Sequence, residues 1–296
     1  MNGVIVIDKP PGLTSHDVVN RVRRIIGQRA VGHLGTLDPS ATGVLPIVLG
    51  NLTRLAQFYT HSEKTYEGVI RFGFATDTYD AEGEPTTPPQ EVRISRDEVQ
   101  ALAAQFQGTI EQTPPPFSAK KIAGVAAYKL ARKNKEVVLK PVQVEIKEFA
   151  ILDTTADQAT FRARVASGTY IRSVAHEMGQ KLGCGAHLAS LRRTAVAEFT
   201  IADAHTLQAL GAAMQQGSAE SVAQTMLVHP RKLVPQFPSV TANDESAALI
   251  RSGRAVNLPE MSRAPQVKVF YGQRDLIAIA TRIAGTLFHP SIVFSV

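Results

Sequence analysis

The segment Gly32-His33-Leu34-Gly35-Thr36-Leu37-Asp38-Pro39-Ser40-Ala41-Thr42-Gly43 carries three glycines and one proline within twelve residues. Glycine and proline at this density predict a loop instead of a regular helix or strand. An apolar run at residues 44–49 follows at once, so the loop lies against a core segment, where functional side chains are often held. The loop carries one carboxylate, Asp38, and a histidine, His33, five residues before it. Judged by residue type alone, Asp38 followed by Pro39 predicts a tight turn.

The composition predicts two domains and suits an acidic partner. The 296 residues exceed the usual size of one domain, and 44% of them are hydrophobic, which is enough to bury a core. The 32 Lys and Arg against 26 Asp and Glu give a net charge of +6, which suits nucleic acid but is also a common solubility device. The single cysteine, Cys184, excludes an internal disulfide and is typical of a reducing cytosol. No apolar run is long enough to cross a membrane.

Strand and helix patterns alternate over residues 3–200 without a βαβ repeat, which predicts an α+β fold with a central mixed or antiparallel sheet. The β-branched run at residues 3–7 and the apolar run at 44–49 predict buried strands, because neither alternates with polar residues. Residues 64–73 alternate and also predict a strand. The acidic and then proline-rich stretch 76–90 predicts an exposed connection.

A helix is predicted over residues 170–182, where apolar residues recur at helical spacing and Gly183 follows. Arg172 falls in its first turn, where the helix dipole repels positive charge. A cation at this place usually has a carboxylate partner, so the helix predicts an acidic residue beside Arg172. An ordinary surface arginine is the simpler interpretation of Arg172 taken alone.

Residues 111–140 form a basic segment with aromatic residues between the cations. Glu136 is the one acidic residue between positions 118 and 140. The aromatic residues of the segment 111–140 are Phe117 and Tyr128. Cations contact phosphates and rings contact bases, so the segment predicts a mobile arm that closes on nucleic acid. A solvated basic helix is the alternative. The seven basic residues are Lys120, Lys121, Lys129, Arg132, Lys133, Lys135 and Lys140.

Five motifs of the chain resemble those of one enzyme family. The segment GHLGTLDPSATGVLPIVLG at residues 32–50 is similar to the catalytic motif of the TruB family of transfer-RNA pseudouridine synthases. Further motifs of that family recur in the same order, namely GVIVIDKPPGLTS at 3–15, KTY at 64–66, GTYIRS at 168–173 and LRR at 191–193. The resemblance covers residues 3–200 firmly. It implies an α+β pseudouridine synthase domain and identifies Asp38 as the catalytic carboxylate, with Arg172 as its ion-pair partner.

The same resemblance implies roles around the substrate. Tyr66 matches the tyrosine that stacks on the extruded base and belongs with the catalytic set, whereas by pattern alone it is a strand tyrosine of the core. His33 matches the histidine that fills the space left by the base. Tyr170 and Leu191 match residues that line the uridine pocket, and Lys9 matches a motif lysine that we expect to organise the pocket.

The implied activity is isomerisation of uridine 55 in the T-loop of tRNA. The base must leave its stack to be reached. Breaking the C1′–N1 bond and forming C1′–C5 involves no redox change or external group, so we expect no cofactor and no metal. Whether Asp38 attacks C1′, adds to C6 or acts as a base at C2′ stays open. We expect a cytoplasmic monomer that acts on tRNA without a guide RNA and without a membrane.

The domain organisation expected from this resemblance has two parts. Residues 1–235 would form the catalytic domain, with 111–140 as a thumb-like RNA-binding insertion. Residues 236–296 read as short strands and turns and resemble a PUA RNA-binding domain, although a β extension packed on the main domain is the alternative. Two other functions stay open, a module that folds tRNA without catalysis and a guide-RNA-dependent relative. The basic insertion argues against the second of these.

Overall fold

The computed structural model describes residues 1–118, 120–122, 124–127, 130 and 139–294. Its strands and helices, numbered within these ranges, confirm the predicted α+β class. The strands are β1 Gly3–Lys9, β2 Val31–His33, β3 Thr42–Leu49, β4 Lys64–Phe72, β5 Gly108–Gln112, β6 Lys121–Ile122, β7 Val125–Ala126, β8 Val142–Thr154, β9 Gln158–Val165, β10 Ala186–Val196, β11 Phe199–Thr200, β12 Ala204–His205, β13 Ser239–Ala242, β14 Val256–Asn257, β15 Gln266–Tyr271, β16 Asp275–Ala284 and β17 Leu287–Val293. The α-helices are α1 Ser15–Ile26, α2 Ala56–Tyr59, α3 Arg96–Ala104, α4 Ile171–Lys181, α5 Leu207–Gln216, α6 Ala219–Thr225 and α7 Asp244–Arg251. Short 3₁₀ helices cover Gly50–Leu55, Ile201–Asp203 and Pro230–Lys232.

A mixed sheet forms the centre of the molecule. Its strands follow the order β12-β1-β3-β10-β4-β9-β8-β5, with β2 paired to β3 and β11 paired to β10. The β1–β12 and β3–β10 pairs are parallel, and the other neighbours along this order are antiparallel. The sheet therefore consists of two halves that meet at β3 and β10.

The β1–β3 half is buried on both faces, which explains its unbroken apolar runs. Ile5, Ile7 and Leu45 face the side covered by α1, α5 and α6. Val4, Val6 and Val48 face the opposite side, where they share a core with Phe270 and Ile279 of the C-terminal strands, among others. Each such side chain taken from water contributes about 1.5–3 kcal/mol.

The β4–β9–β8 half has one packed face and one outward face. Helices α3 and α4 cover the packed face, where Ile70, Phe72 and Phe161 meet Val99 and Met178, among others. The opposite side chains of β4 and β9 alternate with these and are exposed or half-buried. This half therefore has one side that faces solvent.

The C-terminal strands form a separate five-stranded sheet in the order β13-β15-β16-β17-β14. It has a core of its own, in which Val267, Ile277 and Phe288 pack with Ile250 of α7. It is also joined to the main sheet by the shared core described above. The β-rich C-terminal unit predicted from the sequence is therefore present, and it is docked firmly on β1 and β3. No helix in the described ranges is long and apolar enough to span a membrane.

Two sequence-based predictions about loops are wrong in part. The segment 32–43 is not loop throughout, because Gly32 and His33 pair with Val48 and Ile47 in β2, and β3 begins at Thr42. The stretch 76–90 is not simply an exposed connection, since Thr76 and Asp80 are buried. Both segments gain order from tertiary contacts that local residue composition does not encode.

Candidate active site

A cleft of about 360 Å³ lies beside the contact between β3 and β10. The two strands are paired at two positions, Thr42 with Arg192 and Gly43 with Arg193. Gly43 has φ +101°, and a Cβ built there would lie 2.2 Å from the Arg193 carbonyl oxygen, so this close approach requires glycine. The lining comes from the Asp38 loop, β3, β4, β9, β10, α4 and the loop before α3. The residues that line the cleft are Asp38, Ser40, Ala41, Thr42, Glu67, Gly68, Val69, Asp80, Ala81, Thr160, Arg172, Leu188, Ala189, Ser190, Leu191 and Arg192.

The backbone on both sides of Asp38 is held by buried side chains. Ser15 Oγ donates to the Leu37 carbonyl at 3.0 Å and accepts from the Leu37 N–H at 2.8 Å. Lys9 Nζ donates to the carbonyl oxygens of Pro10, Leu13 and Pro39 at 3.0, 2.7 and 2.9 Å. Asp38 therefore stands between two anchored residues, on a loop with little freedom to move.

Arg193 holds the start of the same loop. Its Nε donates to the Val44 carbonyl at 2.8 Å, and its Nη atoms donate to Thr36 and Gly35 carbonyls, each at 3.0 Å. The side chains of Lys9 and Arg193 are both completely buried. Among the described residues, no carboxylate lies within ion-pair distance of either cation. Both charges are thus solvated by loop carbonyls, which ties the loop conformation to their presence.

Asp38 and Arg172 form an ion pair at the cleft. The Nε atom of Arg172 lies 2.9 Å from Oδ2 of Asp38, in an ion pair without the alignment of a hydrogen bond. The Arg172 side chain is 8% exposed and that of Asp38 is 39% exposed. The carboxylate therefore reaches the cleft while its partner is buried behind it. This is the acidic neighbour that the position of Arg172 in the first turn of a helix predicts.

Arg172 has further partners that fix its guanidinium group. Nη1 lies 3.6 Å from Oδ2 of Asp80 and donates to the Thr78 carbonyl at 3.1 Å. Nη2 donates to the Phe117 carbonyl at 3.1 Å. Asp80 is itself oriented, because its Oδ1 accepts from Thr78 Oγ1 at 2.6 Å. An Asp38–Arg172–Asp80 chain of charges results, in which Asp38 is partly exposed and Asp80 is a buried part of the cleft wall.

The loop that carries Thr78 and Asp80 is attached to α4 by a second contact. The Tyr79 ring stacks on the ring of His176 with centroids 3.8 Å apart and planes 10° from parallel. His176 lies one helical turn after Arg172, on the same helix face. Tyr79 has φ +66°, a conformation that non-glycine residues rarely adopt. The stack therefore holds strained backbone next to the groups that contact Arg172.

The structure places the predicted site residues in different environments. Asp38, Arg172 and Leu191 line the cleft. Tyr66 is buried beside it, in the core that also holds Leu37 and Ala41. Lys9 is behind the loop, where burial lowers its pKa to about 8.

His33 and Tyr170 are half-buried and lie outside the lining of the cleft. Burial lowers the pKa of the His33 imidazole, and the Nδ1 atom has no hydrogen-bond partner among the described residues. Burial raises the pKa of the Tyr170 phenol. The Tyr170 backbone is fixed by the buried Gln112 side chain, which accepts from its N–H at 2.8 Å and donates to its carbonyl at 3.1 Å.

The basic insertion is described in part. Lys120 is exposed, and the backbone of Lys121 lies in β6. The side chain of Lys121 and all of Tyr128, Lys129, Arg132, Lys133 and Lys135 lie outside the described residues. Within those residues, no three His, Cys, Asp or Glu side chains come together as metal ligands.

Sequence reasoning missed Asp80 and Gln112 and gave Arg193 no role. Asp80 lies in a stretch that reads as an exposed connection, and Gln112 looks like any strand residue. Arg193 belongs to the LRR motif, but no local feature of the sequence distinguishes it from Arg192. In the structure the side chain of Arg192 lies on the opposite face of the strand and pairs with Asp8 at 2.8 Å.

Two family models match the chain. Residues 23–171 match the N-terminal domain of the TruB family of pseudouridylate synthases, and residues 172–233 match the tRNA pseudouridylate synthase B C-terminal domain. The chain is 48% identical over 296 residues to tRNA pseudouridine synthase B of Solibacter usitatus (strain Ellin6076), covering 99% of this chain and 100% of that one. It is 39% identical over 288 residues to the protein of that name from Bacillus cytotoxicus, covering 94% and 92%.

Two solved structures have a similar fold. A chain from a Cbf5-Nop10-Gar1 complex superposes with a TM-score of 0.73 at 27% identity, covering 99% of this chain and 85% of that one. A chain from an H/ACA RNP bound to a substrate RNA containing 2′-deoxyuridine also has a TM-score of 0.73, at 24% identity and the same coverage. These likenesses extend over the main sheet and the five-stranded C-terminal sheet.

Proposed function

The chain belongs to the TruB family of pseudouridylate synthases, and on this basis we propose that it converts uridine 55 in the T-loop of tRNA to pseudouridine, with Asp38 as the catalytic carboxylate. The observation that carries the proposal is the Asp38–Arg172 ion pair, with 2.9 Å between Nε and Oδ2, in a cleft beside an anchored loop. A carboxylate held in this way is suited to attack an electrophilic carbon or to remove a proton.

The size of the cleft supports a single extruded nucleotide as its occupant. A volume of about 360 Å³ lies in the range of small-molecule pockets and is too small for a nucleic-acid duplex. The target uridine leaves its stack and enters the cleft, as enzymes that modify bases require. Tyr66 stacks on the base, His33 occupies the space that it vacates, and Tyr170 and Leu191 bound the pocket. Lys9 has no exposed surface and holds the loop.

The isomerisation balances without another reactant. The C1′–N1 bond breaks, the base turns, C1′–C5 forms and the C5 hydrogen is lost while N1 gains one. Asp38 is available for the first step, and Arg172 orients its carboxylate throughout. No cofactor or metal is needed for this sequence.

We assign RNA binding to groups outside the cleft. The basic residues of the thumb-like insertion 111–140, with Lys120, Lys121, Lys129, Arg132 and Lys133 foremost, contact phosphates of the T-stem. We propose that residues 1–235 are the catalytic domain and that 236–296 are a PUA-like domain that adds RNA contacts. The protein acts as a cytoplasmic monomer that recognises tRNA without a guide RNA.

Tritium release tests the catalytic assignment. A tRNA transcript labelled at C5 of uracil loses tritium when the new C–C bond forms. We expect release by the wild type, none by Asp38→Asn, and RNA affinities within about tenfold of each other, or ~1.4 kcal/mol. A transcript with cytidine at position 55 serves as the site control. Binding without release by the wild type would refute the proposal and favour a module that folds RNA.

A further inference from the structure

Glu67 is a carboxylate in the cleft that the proposed mechanism does not use. It lies on β4, directly after Tyr66, and lines the same cleft as Asp38. Its side chain points to the outward face of the sheet and is exposed. Among the described residues it has no hydrogen-bond or ion-pair partner, so its acceptor oxygens are free.

Three arginines of that face have carboxylate partners, whereas Arg162, which lies opposite Glu67 on β9, has none among the described residues. Arg192 pairs with Asp8, Arg71 with Asp157 and Arg164 with Glu63. The charged groups that line the cleft are the carboxylates of Asp38, Glu67 and Asp80 and the guanidiniums of Arg172 and Arg192, which makes three negative charges against two positive ones. The N–H groups of a base are attracted to the free carboxylate of Glu67, which can only accept hydrogen bonds when ionised.

The position of Glu67 is set by rigid backbone. On the sheet, Glu67 is paired with Arg192 of β10 on one side and with Arg162 of β9 on the other. The next residue, Gly68, packs so closely that a Cβ there would lie 2.5 Å from the Ser190 carbonyl oxygen. Groups on a central strand are positioned more accurately than groups on loops.

We propose that Glu67 is a specificity residue that accepts a hydrogen bond from an N–H group of an unpaired base in the RNA loop. This rests on the proposed function. Carboxylates accept from the amino group of cytosine in nucleic-acid complexes, and unpaired bases are read on their Watson–Crick edges. The donor is the amino group of the nucleotide beside the extruded uridine or the ring N3–H of the uracil itself. The alternative is that Glu67 has no role in RNA recognition and is only a solvated side chain or an ion-pair partner of Arg162 on the neighbouring strand.

The test compares Glu67→Ala and Glu67→Gln with Glu145→Ala. Glu145 is an exposed carboxylate on β8 outside the cleft, so the control removes the same charge at another place. The quantity measured is kcat/KM for tritium release on T-stem-loop RNAs in which each nucleotide flanking the target is cytidine or uridine. Thermal unfolding checks that all variants are folded.

We expect Glu67→Ala to lower kcat/KM about tenfold to hundredfold relative to Glu145→Ala, with partial recovery in Glu67→Gln because an amide oxygen also accepts. If the loss occurs only with cytidine at one flanking position, the donor is the amino group of that base. If it is equal on all RNAs, the donor is uracil N3–H. Equal kcat/KM for Glu67→Ala and Glu145→Ala on every RNA overturns this proposal. An inactive wild type would instead overturn the proposed function.

Discussion

Replacing Arg193 with lysine should destabilise the protein far more than the same change at Arg192. Arg193 is completely buried and donates three hydrogen bonds to loop carbonyls, at 2.8, 3.0 and 3.0 Å. Lysine keeps the charge but is shorter and has no planar fork, so it cannot reach the carbonyls of Gly35, Thr36 and Val44 together. At least two charge-assisted bonds are lost.

The magnitude follows from those bonds. Each hydrogen bond to a charged group contributes about 1.5–3 kcal/mol, so the loss of two costs about 3–6 kcal/mol. This is a large share of a total stability of about 5–15 kcal/mol. Arg192 is the matched control, since it is on the same strand, is 42% exposed at its side chain and pairs with Asp8. Its replacement by lysine should cost about 1 kcal/mol or less.

Urea unfolding at equilibrium measures both variants. Hydrogen exchange of the Leu37 amide, which donates to Ser15, reports separately on the loop. We expect Arg193→Lys to lower the urea midpoint strongly and to speed exchange at Leu37, with Arg192→Lys close to wild type in both. An Arg193→Lys variant as stable as Arg192→Lys would show that the buried guanidinium does not hold the loop.

Three further changes test the environment of Arg172 and the buried histidines. Asp80→Asn removes a charge 3.6 Å from Arg172 and should lower turnover about tenfold or more while RNA affinity, measured by filter binding, is unchanged. Tyr79→Ala removes the stack on His176 and should slow single-turnover tritium release about twofold to tenfold, corresponding to about 0.5–1.5 kcal/mol. Tyr79→Phe keeps the ring and should retain the wild-type rate. Equal rates for both variants would contradict a role for the ring. Burial lowers the pKa of His187 below its usual 6.5, so the unfolded chain takes up a proton before the folded chain does as the pH falls. The free energy of unfolding should therefore decrease below pH 6.5. Thermal melts of His187→Gln should show a weaker pH dependence than those of the wild type in this range.

The contrast between predicted and observed features is clearest at α4. The first-turn position of Arg172 favours a carboxylate nearby, although taken alone it is also compatible with a surface arginine, and the motif resemblance indicates Asp38 as the partner. The structure has that pair. Asp80 could not be predicted in the same way. Its stretch looks exposed by composition, and it becomes buried because the Tyr79 stack and the Asp80–Leu188 bridge draw the loop against α4 and β10.

Arg192 and Arg193 show the same limit within two adjacent residues. Both belong to one motif, yet one is half-exposed in an ion pair and the other is buried among carbonyls. Strand alternation predicts that they face opposite sides, but not which side the loop occupies.

The sequence by itself determined the α+β class, the buried runs of β1 and β3 and the loop around Asp38, and it favoured a carboxylate partner for Arg172. These follow from local rules, namely side-chain periodicity, the restrictions of glycine and proline, and the helix dipole. Only the tertiary structure decided which carbonyls solvate Lys9 and Arg193, that Asp80 completes the chain of charges, and that Glu67 faces the cleft unpaired. The physical reason is that these contacts mostly join separate segments of the chain, from 30 residues apart for Lys9 and Pro39 to 158 residues apart for Arg193 and Gly35, or depend on which strand face a neighbouring element covers. No local pattern carries that information.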